Sequence, residues 1–244
     1  ELNLDQIYLI TFIGEHMLKR EANRLKVKNN LMDAAETLFS KQGYDAVSVR
    51  QITQMAETRL ADITDYFGGK EQLFQAVVAR RANLLNHDYE SKLNMLNRNG
   101  SLSEQLNALV SAFISPLINR GQESPAWMNY LRLLSRNNSL SLFSNISDFS
   151  TYFQPIKEKF TQELAELFPA SSEKKIFSAY QLMSSCTMSQ LSCELEIEQD
   201  LGNTEKILEL EKKMNEILNF VKGGILELLN EADQNLLHSH KVLR

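Results

Sequence analysis

The chain has 244 residues, 43% of them hydrophobic and 23% charged, with a formal net charge of −5. That is ordinary globular composition, long enough for one large or two small domains with a real core, and it excludes a low-complexity or disordered chain. No run is long enough to span a membrane as a helix.

The charge is unevenly spread. Residues 19–81 hold 11 Lys and Arg against 8 Asp and Glu; residues 1–18 hold three acids, and residues 82–244 hold 15 bases against 20 acids. A mildly basic N-terminal third on an acidic body is compatible with nucleic acid at one end. Cys186 and Cys193 lie seven residues apart in a helical pattern, about 10 Å of rise, which is too far for a bridge within one helix. They read as small buried hydrophobes in a reducing cytosol.

In chain order, residues 1–16 fit nothing downstream. The run Ile-Tyr-Leu-Ile-Thr-Phe-Ile at residues 7–13 is strand-like or simply apolar, and it follows acids rather than the basic start of a signal peptide. Met17 opens a passage that looks like a natural beginning, so residues 1–18 are set apart as an atypical, added or upstream-derived extension. The alternative is an extra helix packing on the body. Leu31, Ala34, Ala35, Leu38 and Phe39 then form one apolar helical stripe that Gly43 stops. A short helix is predicted from Ser48, with Gln51 completing a capping box and Val49 and Ile52 facing inward. A second short helix is predicted at residues 59–67 and a longer one at residues 70–96, ending at the break Asn-Arg-Asn-Gly-Ser.

Further helices are predicted at residues 102–119, 125–135, 152–168, 172–199 and 203–231. The stretch 135–150 reads as loop or ragged helix. Pro116, Pro125 and Pro169 fall at or near these ends, and Pro155 suits a first turn. No strand alternation survives, so the predicted fold is all-α. Ile207, Leu210, Met214, Ile217, Val221, Gly224 and Leu228 follow alternating steps of three and four, a heptad seam. Ala179, Leu182, Cys186, Ser189 and Cys193 make a parallel stripe of mostly small residues. Either these are two ordinary core helices, or they pair with their copies in a second chain as a four-helix bundle. The second reading makes Leu182, Cys186, Ser189, Cys193, Met214, Ile217, Val221, Gly224 and Leu228 the dimer interface.

Residues 48–67 have the spacing of a helix-turn-helix, whose second helix lies in the major groove of DNA. At about 100° per residue, Leu60, Ile63 and Phe67 share one face and are expected to anchor that helix. Ala61, Asp62 and Asp65 then point the other way, with Thr64 and Tyr66 on the flanks. Around it stand Ala34-Ala35 with Leu38-Phe39, Gly43-Tyr44, Ser48-Val49-Arg50 with Ile52, Ala56, and Tyr66-Phe67 followed by Lys70-Glu71.

On these features residues 31–78 resemble the N-terminal domain of the tetracycline-repressor (TetR) family of bacterial transcription regulators. The resemblance implies an all-α homodimer with a DNA-binding head at residues 19–69 and a larger effector-binding and dimerising body at residues 70–244. It places Ser48, Arg50, Tyr66 and Lys70 against phosphates, and Thr64 at the DNA face. It also implies a small-molecule effector in a helical pocket, and a dimer of this kind is expected to bind a palindromic operator. Arg59, Asp62 and Asp65 join the DNA-binding candidates from their own place on the second helix, not from the resemblance.

The chain departs from the family where Gly-Val-Ser or similar is usual before the second helix; here Glu57-Thr58-Arg59 stands. Asp62 and Asp65 occupy positions where small or aromatic residues meet bases. They read cytosine N4, or Asp62 favours the helix N-terminus, or both are solvated acids on a weakened binder. Candidate effector-lining residues are Phe113, Trp127, Tyr130, Leu134, Tyr180 and Met183, which with no charge cluster favours an apolar or aromatic effector. No catalytic motif, cofactor signature or metal-ligand spacing is found. His238 and His240, as His-Ser-His, read as a solvated tail. The rival to a DNA-binding repressor is a helical dimer that has lost DNA binding and works through protein or ligand contacts.

Overall fold

A computed structural model describes the backbone of residues 4–140, 149–197 and 203–229, and the side chains of residues 16–135, 151–191 and 212–229. Among the described residues the structure is helical throughout, with no strand. The helices are α1 (Leu4–Gln42), α2 (Val49–Met55), α3 (Leu60–Phe67), α4 (Lys70–Asn94), α5 (Leu102–Glu123), α6 (Pro125–Leu140), α7 (Gln154–Leu167), α8 (Glu173–Ile197) and α9 (Asn203–Leu229). A 3-10 turn, Phe149–Phe153, precedes α7. Two compact units are resolved, residues 1–77 and residues 78–244.

In the first unit α1 packs on α2 and α3. Its stripe Leu31, Ala34, Ala35, Leu38 and Phe39 is buried. Gly43, at φ 83°, ends the helix by donating its N–H to the Phe39 carbonyl at 2.9 Å, a left-handed exit that suits a residue without Cβ. Phe39, Tyr44 and Phe74 close the core, with ring centroids 5.1–5.6 Å apart. The strand-like reading of residues 7–13 is corrected: they are the second and third turns of α1. With no partner strand in the unit, an apolar run joined to a helix-forming one is recruited by propagation, which fixes fewer dihedrals per bond than nucleation.

In the second unit α5 packs on α6, α7 and α9, and α8 packs on α6, α7 and α9. The N-cap of α5 is Ser101, whose hydroxyl accepts the Glu104 N–H while Glu104 accepts the Ser101 N–H at 2.8 Å. Pro116, expected near a helix end, lies inside α5, which runs on to Glu123. The ring removes one backbone bond, yet Pro116 and its neighbours Phe113, Ile114, Leu117 and Ile118 are all buried, and that burial carries the helix through.

The seam proposed along α9 is out of phase with the packing. Ile217 and Val221 are buried within the chain's own core, and Ile217 lines a cavity of about 10 Å³ with Ile114, Leu117 and Leu191. Gly224 faces outward, beside Phe220, which is 73% exposed. Met214 and Leu228 are half-buried. On α8, Ala179 is fully buried, whereas Leu182 is 62% exposed, Ser189 is exposed and Cys186 is half-buried. A heptad pattern reports apolar spacing only, and in α9 intrachain burial claims part of it. His238 and His240, and the side chains of Cys193, Ile207, Leu210 and residues 1–15, lie outside the described residues. Among the described residues no helix is long and apolar enough to cross a membrane.

Candidate nucleic-acid interface

α2 begins on the expected capping box. The Gln51 N–H donates to Ser48 Oγ at 3.2 Å, and the Ser48 N–H donates to Gln51 Oε1 at 2.8 Å. Ser48 is exposed, but its hydroxyl also donates to Gln51 Oε1 at 2.7 Å, so the cap holds it in place. Arg50, two residues on, is exposed.

The turn into α3 passes through Glu57 at φ 53°, a left-handed conformation that a non-glycine residue adopts at a cost of about 1–2 kcal/mol. The Thr58 N–H donates to the Thr53 carbonyl at 3.0 Å and closes the turn. Gly68, at φ 87°, caps the far end by donating to the Thr64 carbonyl at 2.9 Å.

Between these caps α3 is rotated from its expected setting by about 60°, taking 100° per residue. Leu60, expected to anchor the helix, is 59% exposed. Asp62, expected on the outward face, is 4% exposed. The outward face is Leu60, Ala61, Thr64 and Asp65; Ile63 is buried beneath it, with Tyr66 and Phe67 half-buried. The cause is a capping interaction. Asp62 is the third residue of α3, and its Oδ2 accepts the Arg59 N–H at 2.9 Å. Its Oδ1 accepts from the Arg59 guanidinium at 2.7 and 3.2 Å. The hydrogen bond from the Arg59 side chain holds the Asp62 carboxyl below the usual range, against the opposing effect of burial. Arg59 itself stays largely in solvent. The pair cancels two charges that the sequence assigned separately to DNA, and Asp65 is left as the acid on the outward face.

The flank beyond α3 is cationic. The Arg24 guanidinium lies 5.7 Å from the Tyr66 ring centroid, and Lys28 Nζ lies 5.7 Å from that of Phe67. Lys70, the first residue of α4, holds Nζ 4.1 Å from the Tyr44 centroid. Partial burial pushes the Lys70 ammonium down from its ordinary value, with Asp45 acting the other way. Arg24 and Lys28 lie outside the helix-turn-helix spacing, but Arg20, Arg24 and Lys28 repeat along α1 at intervals of four.

Residues 31–77 match the family described as bacterial regulatory proteins, tetR family, and residues 111–224 match the tetracyclin repressor-like C-terminal domain. The chain belongs to the TetR family. As a TetR-family protein it is a DNA-binding transcriptional regulator, with an N-terminal DNA-binding domain and a C-terminal ligand-binding domain. Family members are transcriptional regulators rather than enzymes, and they act as dimers with small-molecule effectors.

Solved structures agree in fold. HlyIIR, a hemolysin II transcriptional regulator, is 19% identical with a TM-score of 0.50, over 80% of this chain and 97% of that one. FadR from Bacillus subtilis, solved with stearoyl-CoA, is 15% identical with a TM-score of 0.50, over 80% and 97%. A candidate transcriptional regulator from Streptomyces coelicolor A3(2) is 15% identical with a TM-score of 0.50, over 84% and 99%. No curated protein matches the sequence.

In the ligand-binding domain of this TetR-family chain, the six candidate lining residues fall into separate groups. Phe113 and Tyr180 meet edge-on at 6.1 Å and join Tyr89 and Phe160 in one aromatic cluster. Trp127 and Tyr130 meet edge-on at 5.6 Å, and the Tyr130 hydroxyl donates to the Val78 carbonyl at 2.8 Å. The guanidinium groups of Arg81 and Arg120 lie 5.0 and 4.9 Å from the Trp127 ring centroid, and Arg120 makes a bidentate pair with Asp88 at 2.6 and 2.9 Å. Leu134 and Met183 are buried. Burial pushes the Tyr180 phenol up to about 12. The Tyr89 hydroxyl and Asn86 Oδ1 are buried without a hydrogen-bond partner among the described residues.

Proposed function

We propose that this regulator is a ligand-responsive repressor that binds a palindromic operator as a homodimer. The observation that carries the reading is the outward face of α3, where Leu60, Ala61, Thr64 and Asp65 form one exposed strip between the Ser48–Arg50 and Tyr66–Lys70 flanks. Such a strip suits the major groove: Leu60 and Ala61 can pack on thymine methyls, and Asp65 can accept from cytosine N4. Arg50, Tyr66 and Lys70 then fix register on phosphates. Asp62 drops out of the base-reading set because its carboxylate is committed to Arg59.

Dimerisation is assigned to the outward faces of α8 and α9, where Leu182 stands exposed on α8, and Phe220, Gly223 and Gly224 stand exposed on α9. A Cβ added at either glycine would meet nothing within 4 Å in the single chain, so a partner backbone can approach there. The effector is assigned to the aromatic cluster of Tyr89, Phe113, Phe160 and Tyr180. An aromatic ligand with one polar group would satisfy the Tyr89 hydroxyl or Asn86 Oδ1, two buried atoms that cost free energy while unpaired. It would release DNA only by binding the DNA-incompetent state more tightly.

Selection of bound sequences from random duplex DNA tests the reading. A palindrome is expected, with half-sites about 10 base pairs apart or a multiple of that. Recovery of no enriched palindrome would favour the rival, a helical dimer working through ligand or protein contacts.

A further inference from the structure

α1 continues well before the stripe that packs it. From residue 16 to residue 30 every side chain is exposed except Val27, which is half-buried. A helical segment with no buried face needs a reason other than the core. Residues 19–28 carry Lys19, Arg20, Arg24, Lys26 and Lys28 against the single acid Glu21. These cations fall into two sets. Arg20, Arg24 and Lys28, at intervals of four, share one side; Lys19 and Lys26, seven apart, share the far side.

The first set is tied to the DNA-facing helix, since Arg24 lies over Tyr66 and Lys28 over Phe67, both at the C-terminal end of α3. Arg20 is the next cation in that row, one turn of α1 farther out. From Lys28 to Arg20 the row extends about 12 Å along the axis at 1.5 Å per residue. That is the length of about three to four base pairs at 3.4 Å each.

We infer that Arg20, Arg24 and Lys28 form a backbone-contacting row that extends each half-site onto the flanking phosphates. The inference rests on the operator reading above. Its logic is charge balance. The outward face of α3 carries Asp65, and Arg59 is committed to Asp62, so α3 supplies little net attraction to a polyanion. The row on α1 supplies three cations beside Tyr66. It reads no bases, because phosphate contacts carry no sequence information directly.

The test is operator affinity against salt by fluorescence anisotropy, using the palindrome selected by the wild-type chain, once with flanking pairs and once trimmed to the half-sites. Each phosphate contact contributes about 0.9 to the slope of log affinity against log salt. Arg20→Gln, a change at an exposed position, is expected to lower the slope by about 1.8 for the two copies in a dimer on the long duplex. On the trimmed duplex it should match wild type. Arg20→Gln/Arg24→Gln should lower the long-duplex slope by more than twice as much as Lys19→Gln/Lys26→Gln, which removes the same charge from the far side. Equal effects of the two double variants, or an unchanged long-duplex slope for Arg20→Gln, overturn the row while leaving the operator reading intact. A wild-type chain that selects no palindrome overturns both.

Discussion

Replacing Asp62 separates a capping role from a reading role. In Asp62→Ala the Arg59 N–H loses the carboxylate that accepts it at 2.9 Å, at the start of a helix only eight residues long. Loss of an N-terminal side-chain acceptor costs about 1 kcal/mol. The Arg59 ion pair adds little, since Arg59 stands in solvent and is screened. For a chain of this size 1 kcal/mol corresponds to about 2–4 °C in melting temperature. Asp62→Asn keeps an acceptor oxygen and should lose less than half of that.

The pH dependence has a definite sign. The folded Asp62 pKa is depressed, so its contribution is fully present above the unfolded carboxyl value of about 3.9 and is lost as pH falls through the lower folded value. Melting curves followed by circular dichroism at pH 7 and at pH 2–3 should show Asp62→Ala and wild type apart at neutrality and converging in acid. Base preference, measured by selection, should keep the same consensus in Asp62→Ala. A changed consensus with an unchanged melting temperature would refute the capping account and return Asp62 to the bases.

Asp65→Ala should leave the melting temperature alone and relax preference at one base pair, whereas Lys70→Ala should weaken all sites alike; uniform loss in both, measured across single-base operator variants, removes the readout role. Glu57→Gly relieves a left-handed residue but frees the unfolded chain, for a net gain of about 0.5 kcal/mol in denaturant unfolding; β-branched Glu57→Val should lose at least that much. Phe220→Asp should convert the dimer to monomer by analytical ultracentrifugation, and an unchanged mass rejects the assigned face. Tyr89→Phe deletes an unpaired buried hydroxyl and should raise stability by about 1 kcal/mol while lowering effector affinity.

Much of the fold was legible because its signals are local. The Ser48–Gln51 box, the Gly43 stop and the stripe from Leu31 to Phe39 each depend on residues within one or two turns, and each stands where expected. The orientation of α3 was not legible from hydrophobicity. Its Leu60, at the first position after the cap, is exposed, while the charged Asp62 is buried because a hydrogen-bonded carboxylate at the third position outweighs the apolar preference. The α9 seam was legible only as spacing: alternating steps of three and four mark apolar residues without saying whether they meet the same chain or another. Burial decides that, and it assigns Ile217 and Val221 to the chain's own core while leaving Phe220, outside the pattern, exposed.

These corrections bear on how such a helix can select DNA. Two carboxylates on a groove-facing surface would repel phosphates and demand two cytosine contacts in compensation. With Asp62 folded back onto Arg59, one carboxylate remains, set among Leu60, Ala61 and Thr64. In the proposed reading, an apolar strip with one acceptor distinguishes thymine methyls and a single cytosine, and it rejects guanine opposite Asp65, where acceptor meets acceptor. Specificity then comes from a nearly neutral face and affinity from cations beside it, at Arg24, Lys28 and Lys70. The two properties should therefore be separable by mutation: changes on the α3 face should alter the consensus at constant salt slope, and changes on the flanking cations should alter the slope at constant consensus.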